Sequence, residues 1–478
     1  MKLKQLFKEI DVTWKGNKEQ EIFSITANSK NVAPGALFLA KRGKTGDGHK
    51  YIAEAISAGA VAVLTDTYDP FLTTVQIIHP DVSSLEALLA QRFYQNPTAQ
   101  LSIFGVTGTS GKTTTTYLLK YLLEQEGLCG LVGTVSWMTG KKVIPATLTT
   151  PDQLTLMELF HEMGKEGCKR AVMEVSSHAI DQGRTQGISY AAAVFTNLTQ
   201  DHLDYHHTME EYAAAKAKLF KGLKPTAYAI INGDDNWADR MVQNCSAPII
   251  RYGLQPRLDL FAADLELSAQ GMKFVVHWKG EKVAFKTPLI GRFNIYNILA
   301  ATAVALTQGQ KLPAIADKLE GFTGVPGRLE RVVNSRNLQV FVDYSHKPDA
   351  LKNVLQTLKE FKKGRLITVF GCGGNRDAQK RPQMAAISES LSDFSIVTND
   401  NPRGEDPEEI ARQIITGFQD KNYFVQLDRK KAIEHALNLA TPDDIVLIAG
   451  KGHETYQIFA HQTIVFDDRE IAKQACEP

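Results

Sequence analysis

The residues best suited to chemistry stand together in Gly105-Val-Thr-Gly108-Thr109-Ser110-Gly111-Lys112-Thr113-Thr114. An apolar run at 101–104 precedes them and a helix-like segment at 113–126 follows, so the pattern reads strand, glycine loop, helix. Backbone N–H groups of such a loop, and of the helix it opens, point at anionic oxygens. Lys112 can then neutralise terminal phosphates, and the Thr113 hydroxyl can hold Mg²⁺. The chain is therefore expected to bind ATP or GTP. The usual template wants a glycine where Val106 stands; the shortened form Thr-Gly-x-x-Gly-Lys-Thr fits instead.

Ligands of open α/β sheets collect beyond the carboxyl ends of the strands, so polar residues that follow apolar runs come next. Val172-Met-Glu174-Val-Ser176-Ser177-His178 puts a carboxylate where it can reach a cation beside Thr113. Such a strand-end Glu is as often structural. The stretch from Phe195 to His207 includes Asn197, Asp201, His202, Asp204 and His206. By itself it reads as a hydrogen-bonded loop before it reads as a metal site. Lys216 lies in an alanine-rich helical pattern at 211–220, where a lysine is ordinarily a solvent-facing charge. Val342-Asp343-Tyr344-Ser-His346-Lys347-Pro348 ends a strand with an Asp suited to ribose hydroxyls and opens a helix at Pro348. Asn399-Asp400-Asn401-Pro402-Arg403 and Gly450-Lys451-Gly-His453-Glu454 also follow strands and offer both charges to a third ligand.

These groups need scaffolding, and 478 residues suffice for about three domains. The polar segment 94–100, with Pro97, is a candidate linker. Before it, strands at 36–40 and 60–64 with a helix near 51–58 suggest a small α/β domain. Strands at 170–175, 192–196 and 228–232 alternate with a helix at 209–220, which implies a parallel sheet with crossover helices. Glycine and proline punctuation at 322–328 precedes a fresh alternation, with strands at 340–342, 366–370, 394–398 and 445–449. The expected domains are 1–98, 99–325 and 326–478.

Lys plus Arg total 54 against 53 Asp plus Glu, so no net field recruits nucleic acid or an acidic membrane. The five cysteines lack paired short spacing, which argues for a reducing compartment and against a zinc knuckle. No signal-peptide core and no run of ~18 apolar residues occurs, so a cytoplasmic protein without membrane insertion is expected.

Taken in order, the segments resemble the Mur ligases, the ATP-dependent amino-acid ligases of peptidoglycan stem-peptide synthesis. The specific pieces are Thr-Gly-Thr-Ser-Gly-Lys-Thr ending at Thr113, Met-Glu-Val-Ser-Ser-His ending at His178, and Phe-Thr-Asn-Leu-Thr-Gln-Asp-His-Leu-Asp-Tyr-His ending at His206. Gly-Arg-Phe-Asn-Ile-Tyr-Asn ending at Asn297, Val-Pro-Gly-Arg-Leu-Glu ending at Glu330 and Gly-Cys-Gly-Gly-Asn-Arg-Asp ending at Asp377 complete the set. The resemblance implies a three-domain α/β architecture: a small N-terminal UDP-binding domain, a central P-loop parallel-sheet ATPase domain and a C-terminal Rossmann-like domain.

Within the family the chain is most similar to enzymes that extend UDP-MurNAc-L-Ala-D-Glu by the third stem residue. Asp400-Asn401-Pro402-Arg403 is similar to the version in those that add meso-2,6-diaminopimelate. A guanidinium can grip the second carboxylate, which lysine lacks. The resemblance further implies Gly108, Thr109, Ser110, Gly111, Lys112, Thr113, Thr114, Asn294, Asn297, Arg328 and Asp343 for ATP. It implies Ala27, Ser29, Thr149, Thr150, Ser176, Gln182 and Arg184 for the UDP-sugar dipeptide, and Arg376, Asp400 to Arg403, Gly450 and Glu454 for diaminopimelate. Lys112, Glu174, His202 and Lys216 would be catalytic. Thr113, Glu174, His202 and a carbamylated Lys216 would hold Mg²⁺. A monomer acting on small molecules is expected.

Ser110, Asn28, Lys30, Asn375 and Lys347 depart from the commoner family residues. An L-lysine-adding or otherwise diverged paralogue, or a folylpolyglutamate synthase-like ligase, is the nearest alternative. A nucleotide-dependent switch is the alternative of another class, though no Asn-Lys-x-Asp guanine-reading run occurs.

Overall fold

Parallel strands covered on both faces need unbroken apolar runs rather than alternation, and the chain supplies them. The computed structural model describes residues 1–42, 46–420 and 422–477. Two compact units form, Met1–Arg251 with Ala303–Thr307, and Tyr252–Thr302 with Gln308–Pro478.

The first unit opens on a sheet ordered Thr13–Lys15, Val75–Ile78, Ala60–Thr65, Ala36–Leu39, Ser24–Thr26, of which only the first strand runs antiparallel. Segment 94–100, the candidate linker, keeps Gln95, Asn96, Ala99 and Gln100 exposed. Its Pro97 and Thr98 are buried in a 3₁₀ turn, Pro97–Ala99, and Tyr94 meets His161 ring to ring at 5.7 Å. Leu85 and Leu89, from helix Val82–Phe93, share one continuous core with Leu156 and Phe160 of helix Gln153–Lys165. Proline and polar residues marked a turn here, and the packing of the flanking helices closed it.

The next sheet runs Tyr228–Asn232, Tyr190–Phe195, Ser102–Thr107, Arg170–Glu174, Cys129–Val132, all parallel. Ser136–Met138 and Val143–Pro145 extend it antiparallel. Helices Lys112–Leu123 and Met209–Lys221 lie where the sequence pattern put them, the first closing in a 3₁₀ turn at Glu124–Glu126.

In the second unit an antiparallel meander, Leu260–Ser268, Gly271–Trp278 and Glu281–Thr287, stands where no strand was read. Its alternating burial carries polar residues on one face, which diluted the apolar signal. The last sheet is ordered Glu330–Val332, Gln339–Asp343, Ile445–Ala449, Leu366–Phe370, Phe394–Val397, Tyr423–Val425, parallel but for its first strand. Segment 322–328 is stitched to this unit. Gly327 accepts from Tyr344 N–H at 2.9 Å, and a Cβ there would lie 2.0 Å from His453 N.

Candidate functional site

Strand Ser102–Thr107 sits between Arg170–Glu174 and Tyr190–Phe195, so the glycine loop leaves the sheet where connections diverge to either side. Gly108 is required there, because an added Cβ would lie 1.9 Å from Thr196 Oγ1. Gly111, at φ +84°, caps helix Lys112–Leu123 in the left-handed region. The loop is fastened to the neighbouring strand end. Ser110 N–H donates to Asn197 Oδ1 at 2.9 Å, and Ser110 O accepts from Thr196 Oγ1 at 2.6 Å and Asn197 Nδ2 at 3.1 Å. Thr113 and Thr114 are buried behind it. Gly108→Ala is expected to weaken nucleotide binding roughly 10- to 100-fold, matching the ~1–3 kcal/mol of a forced backbone shift. Calorimetric titration with a non-hydrolysable ATP analogue measures this; an unchanged Kd would mean the loop has slack.

Lys112 Nζ folds back over the loop, donating to Gly108 O and Thr109 O at 2.9 Å each. Lys216 Nζ, from helix Met209–Lys221, donates to the same Gly108 O at 3.1 Å. Lys216 is 1% exposed, so the solvent-facing lysine of the sequence pattern is corrected: the helix turns this position inward with Tyr212 and Ala213. Its Nζ lies 4.6 Å from the Tyr212 ring centroid. Burial, then the Lys112 charge, push its pKa well below the usual lysine value. Glu174, also 1% exposed, accepts from Thr134 N–H at 2.9 Å and Thr134 Oγ1 at 3.0 Å. Gly133 leaves room for it; a Cβ there would meet Glu174 Oε1 at 2.7 Å.

His202, in the left-handed region at φ +55°, pairs with Asp201 at 3.4 Å. Its ring meets His178 at 4.8 Å and Tyr212 at 6.1 Å, while His206 stacks on Tyr212 at 5.1 Å. His206 Nε2 lies 2.9 Å from Ser177 Oγ. Burial lowers the pKa values of His178 and His206. The histidine-rich loop is thus a packed ring cluster. Among the described residues no group of three or more His, Cys, Asp or Glu is poised to hold a metal. A hard cation here would draw on the Glu174 carboxylate and Thr113 hydroxyl, which suit it, and on a lysine that suits it only as an anion.

Thr150 joins this site to the next group. Its Oγ1 donates to Glu174 O at 2.8 Å and accepts from Ser176 N–H at 3.1 Å, and its own carbonyl accepts from Arg184 Nη1 at 3.0 Å. Arg184 Nη2 donates to Gln182 Oε1 at 2.5 Å, and Thr149 Oγ1 lies 3.0 Å from Thr134 Oγ1. Thr149, Thr150, Ser176, Gln182 and Arg184 therefore form one connected polar strip. In the first sheet's domain Ser29 opens a 3₁₀ turn beside Ala27, and Asn28 caps it by accepting from Lys30 N–H at 3.1 Å. That cap is work an asparagine does as well as an aspartate.

In the second unit Asn294 Nδ2 donates to Ile290 O at 2.8 Å and Asn294 Oδ1 accepts from Asn297 Nδ2 at 2.9 Å, both residues buried on helix Arg292–Thr307. Asp343 accepts from Leu329 N–H at 2.7 Å and Ser345 N–H at 2.8 Å. Burial raises its pKa against the opposing pull of Arg328. Arg328 stacks over the Tyr344 ring at 4.8 Å. Arg328 Nε and His453 Nδ1 are buried without hydrogen-bond partners, an unsatisfied pair that suits a polar ligand.

The loops after Leu366–Phe370 and Phe394–Val397 are zipped together. Gly374 N–H donates to Asn401 O at 2.9 Å, Gly404 N–H to Asn375 Oδ1 at 2.9 Å, and Arg403 Nη1 to Gly374 O at 3.1 Å. Asn375 sits at φ +54°, where Asn is at home. Arg376 is exposed on the rim, and Asp400, Asn401 and Pro402 are buried. Gly450, at φ +116°, approaches Asp400 so closely that a Cβ would meet Oδ2 at 2.7 Å. Glu454 Oε2 accepts from Asn401 Nδ2 at 2.9 Å and from the fully buried Lys451 Nζ at 3.2 Å.

Thr134 and Tyr212 escaped the sequence reading and carried no signal, whereas Lys451 lay in a strand-following segment picked out from the sequence.

A nucleotide loop feeding buried charge at a parallel sheet's switch point defines a phosphate-activating enzyme, and comparison supplies the family. Residues 21–99 match the Mur ligase family catalytic domain, 106–305 the Mur ligase middle domain, and 327–452 the Mur ligase glutamate ligase domain. The chain belongs to the Mur ligase family and has its three domains.

Particular relatives narrow the comparison. A Bacillus cereus UDP-N-acetylmuramoyl-L-alanyl-D-glutamate--2,6-diaminopimelate ligase is 44% identical over 95% of this chain and 94% of its own. The Caldanaerobacter subterraneus ligase of the same name is also 44% identical, over 99% and 98%. A solved structure of that ligase type superposes with a TM-score of 0.70 at 33% identity, covering 100% of this chain and 98% of that one. A folylpolyglutamate synthase from Mycobacterium tuberculosis shares the fold at 20% identity, TM-score 0.62, over 76% and 91%.

Proposed function

We propose that this protein is an ATP-dependent ligase that joins meso-2,6-diaminopimelate to the D-Glu side-chain carboxylate of UDP-MurNAc-L-Ala-D-Glu in peptidoglycan precursor synthesis. The observation that carries the reading is the pair of lysines on one loop carbonyl: Lys112 and Lys216 both donate to Gly108 O. A phosphate loop needs one lysine. A second, buried and pushed towards its neutral form, is placed to react with CO₂ and become an anion.

The D-Glu carboxylate attacks the γ-phosphorus of ATP, the bond to the β-phosphate oxygen breaks, and an acyl phosphate and ADP form. The diaminopimelate amine then adds to the acyl carbon, loses a proton, and expels phosphate to leave the amide. Gly108 to Thr114 cradle the phosphates and Lys112 neutralises the charge that develops there. Thr113, Glu174, His202 and carbamylated Lys216 would hold Mg²⁺, which when bound neutralises phosphate oxygens. Asn294, Asn297, Arg328 and Asp343 serve the nucleoside end, with the orphaned atoms around Tyr344 supporting that use. Ala27, Ser29 and the strip from Thr149 to Arg184 hold the UDP-sugar dipeptide. Arg376, Asp400 to Arg403, Gly450 and Glu454 hold the amino acid. The domains run 1–98, 99–325 and 326–478. We place this monomer in the cytoplasm, where its nucleotide substrates are; among the described residues no helix is long and apolar enough to cross a membrane.

Phosphate release with ATP, Mg²⁺ and UDP-MurNAc-L-Ala-D-Glu, offered diaminopimelate, L-lysine or neither, tests this. Release equal in all three arms would sink the ligase reading; release with lysine alone would sink the specificity. Arg403→Ala is expected to raise the KM for diaminopimelate roughly 10- to 100-fold, the worth of a charge-assisted pair of hydrogen bonds. The KM for ATP should hold steady, and a matching rise there would count against the assignment.

A further inference from the structure

Strands Phe394–Val397 and Ile445–Ala449 launch the loops that carry Asp400 to Arg403 and Gly450 to Glu454. The two strands are not neighbours; Leu366–Phe370 lies between them. Both are laddered to that strand, up to Val397 and Ile448, but no ladder joins the two directly, and Asn399 and the residues after it lie beyond the pairing. One side chain crosses the gap. Arg429, the first residue of helix Arg429–Leu439, donates from Nη1 to Asn399 O at 3.1 Å and from Nη2 to Ala449 O at 3.0 Å. These carbonyls immediately precede Asp400 and Gly450. The Arg429 Nε and Nη2 groups also hold the two oxygens of Asp468 at 2.7 Å each. Asp468 starts the helix Asp468–Gln474, and both partners of the ion pair are fully buried.

A buried ion pair is weak evidence for stability, since well-packed apolar residues often serve as well. What apolar residues cannot do is satisfy two strand-end carbonyls at a fixed separation. A guanidinium can, because its donors form a rigid planar fork. The link between Asn401 and Glu454 ties the same loops further out, so the loops are pinned both at their roots and along their length.

We propose that Arg429, oriented by Asp468, is a positioning residue that sets the distance between the loop bearing Arg403 and the loop bearing Glu454, and so the length of amino acid the site accepts. The proposal rests on the amino-acid assignment of those loops. Arg429 touches no substrate group in this scheme; it acts through the backbone.

Arg429→Lys keeps the charge facing Asp468 but loses the fork. It is expected to raise the KM for diaminopimelate about tenfold while the KM for ATP and kcat stay within about twofold. Asp444→Asn is the control. Asp444 is buried and held by Arg365 at the opposite end of the same sheet, at 2.8 Å, so its loss should lower the thermal midpoint without a selective change in KM. Hydrogen exchange at 399–404 and 450–454 should quicken in Arg429→Lys and not in Asp444→Asn. If Arg429→Lys fails to fold, Asp468→Asn carries the same expectations.

Equal rises in both KM values, no rise in either, or an amino-acid KM shift in Asp444→Asn would overturn the proposal. Should the wild type couple L-lysine instead, the specificity reading fails and the KM shift is read on lysine. Should it couple neither, the ligase reading fails and the amino-acid part of the proposal falls with it; exchange then decides whether Arg429 sets the loop spacing, faster exchange retaining that part and unchanged exchange overturning it.

Discussion

Lys216→Ala is expected to lower the rate of amide formation by about 10²- to 10³-fold, the usual cost of removing one preorganised electrostatic group from a water-excluded site. The residue lies against the glycine loop, fully buried, with Gly108 O as its hydrogen-bond acceptor. Burial and the neighbouring Lys112 disfavour its charged form. A neutral amine is the nucleophile that CO₂ requires, and the carbamate so formed presents carboxylate-like oxygens. If that anion is the working species, acetate or formate should restore part of the activity of Lys216→Ala, because either fits the vacated space with the same charge. Lys216→Arg should not be rescued, since the guanidinium fills the space with the wrong sign. Steady-state rates with and without added short carboxylates give the answer. A Lys216→Ala enzyme within threefold of wild type would remove the residue from the mechanism.

The second large effect concerns pH. Burial lowers the pKa of His346 to about 4 and of His453 to about 4, from an ordinary value near 6.5. Nearby Lys380 and Lys347 add to this at His346, and Arg328 and Arg469 at His453. Between these values the unfolded chain binds more protons than the folded one, so stability rises with pH. The contribution is fully present above about 6.5 and is lost as pH falls through about 4, at about 3 kcal/mol for each histidine. Urea unfolding from pH 4 to 7 should show this slope. The double variant His346→Gln with His453→Gln should flatten it relative to wild type, a comparison that cancels the carboxylates titrating in the same range. An unchanged slope would mean that both rings accept protons without disturbing the fold.

Most central parallel strands were legible as apolar runs of the length a buried strand needs, and the residues just beyond them by position, whereas Val75–Ile78, Cys129–Val132 and the edge strand Tyr423–Val425 went unread. Glu174, Asp343 and Gly450 were found this way, and all three stand at or just past strand ends. Helix orientation was not legible. Lys216 looked like a surface charge because alanine on every side of it marks no face, and only the packing of helix Met209–Lys221 turned it inward. Arg429 was invisible for a related reason. It opens a helix, where an arginine is unremarkable, and its acceptors lie two residues past the end of one strand, at the end of another, and on a helix thirty-nine positions away. The meander at 260–287 was missed because its strands alternate and the search was for continuous runs.

Ser110 departs from the asparagine commoner at its position, yet Asn197 and Thr196 hold it entirely through its main-chain N–H and C=O. None of these three bonds tests what side chain position 110 carries. The site therefore tolerates drift at the centre of its most diagnostic motif, while Asn197, outside that motif, carries the constraint. A saturation library should show the inversion directly: many survivors at 110 and few at 197.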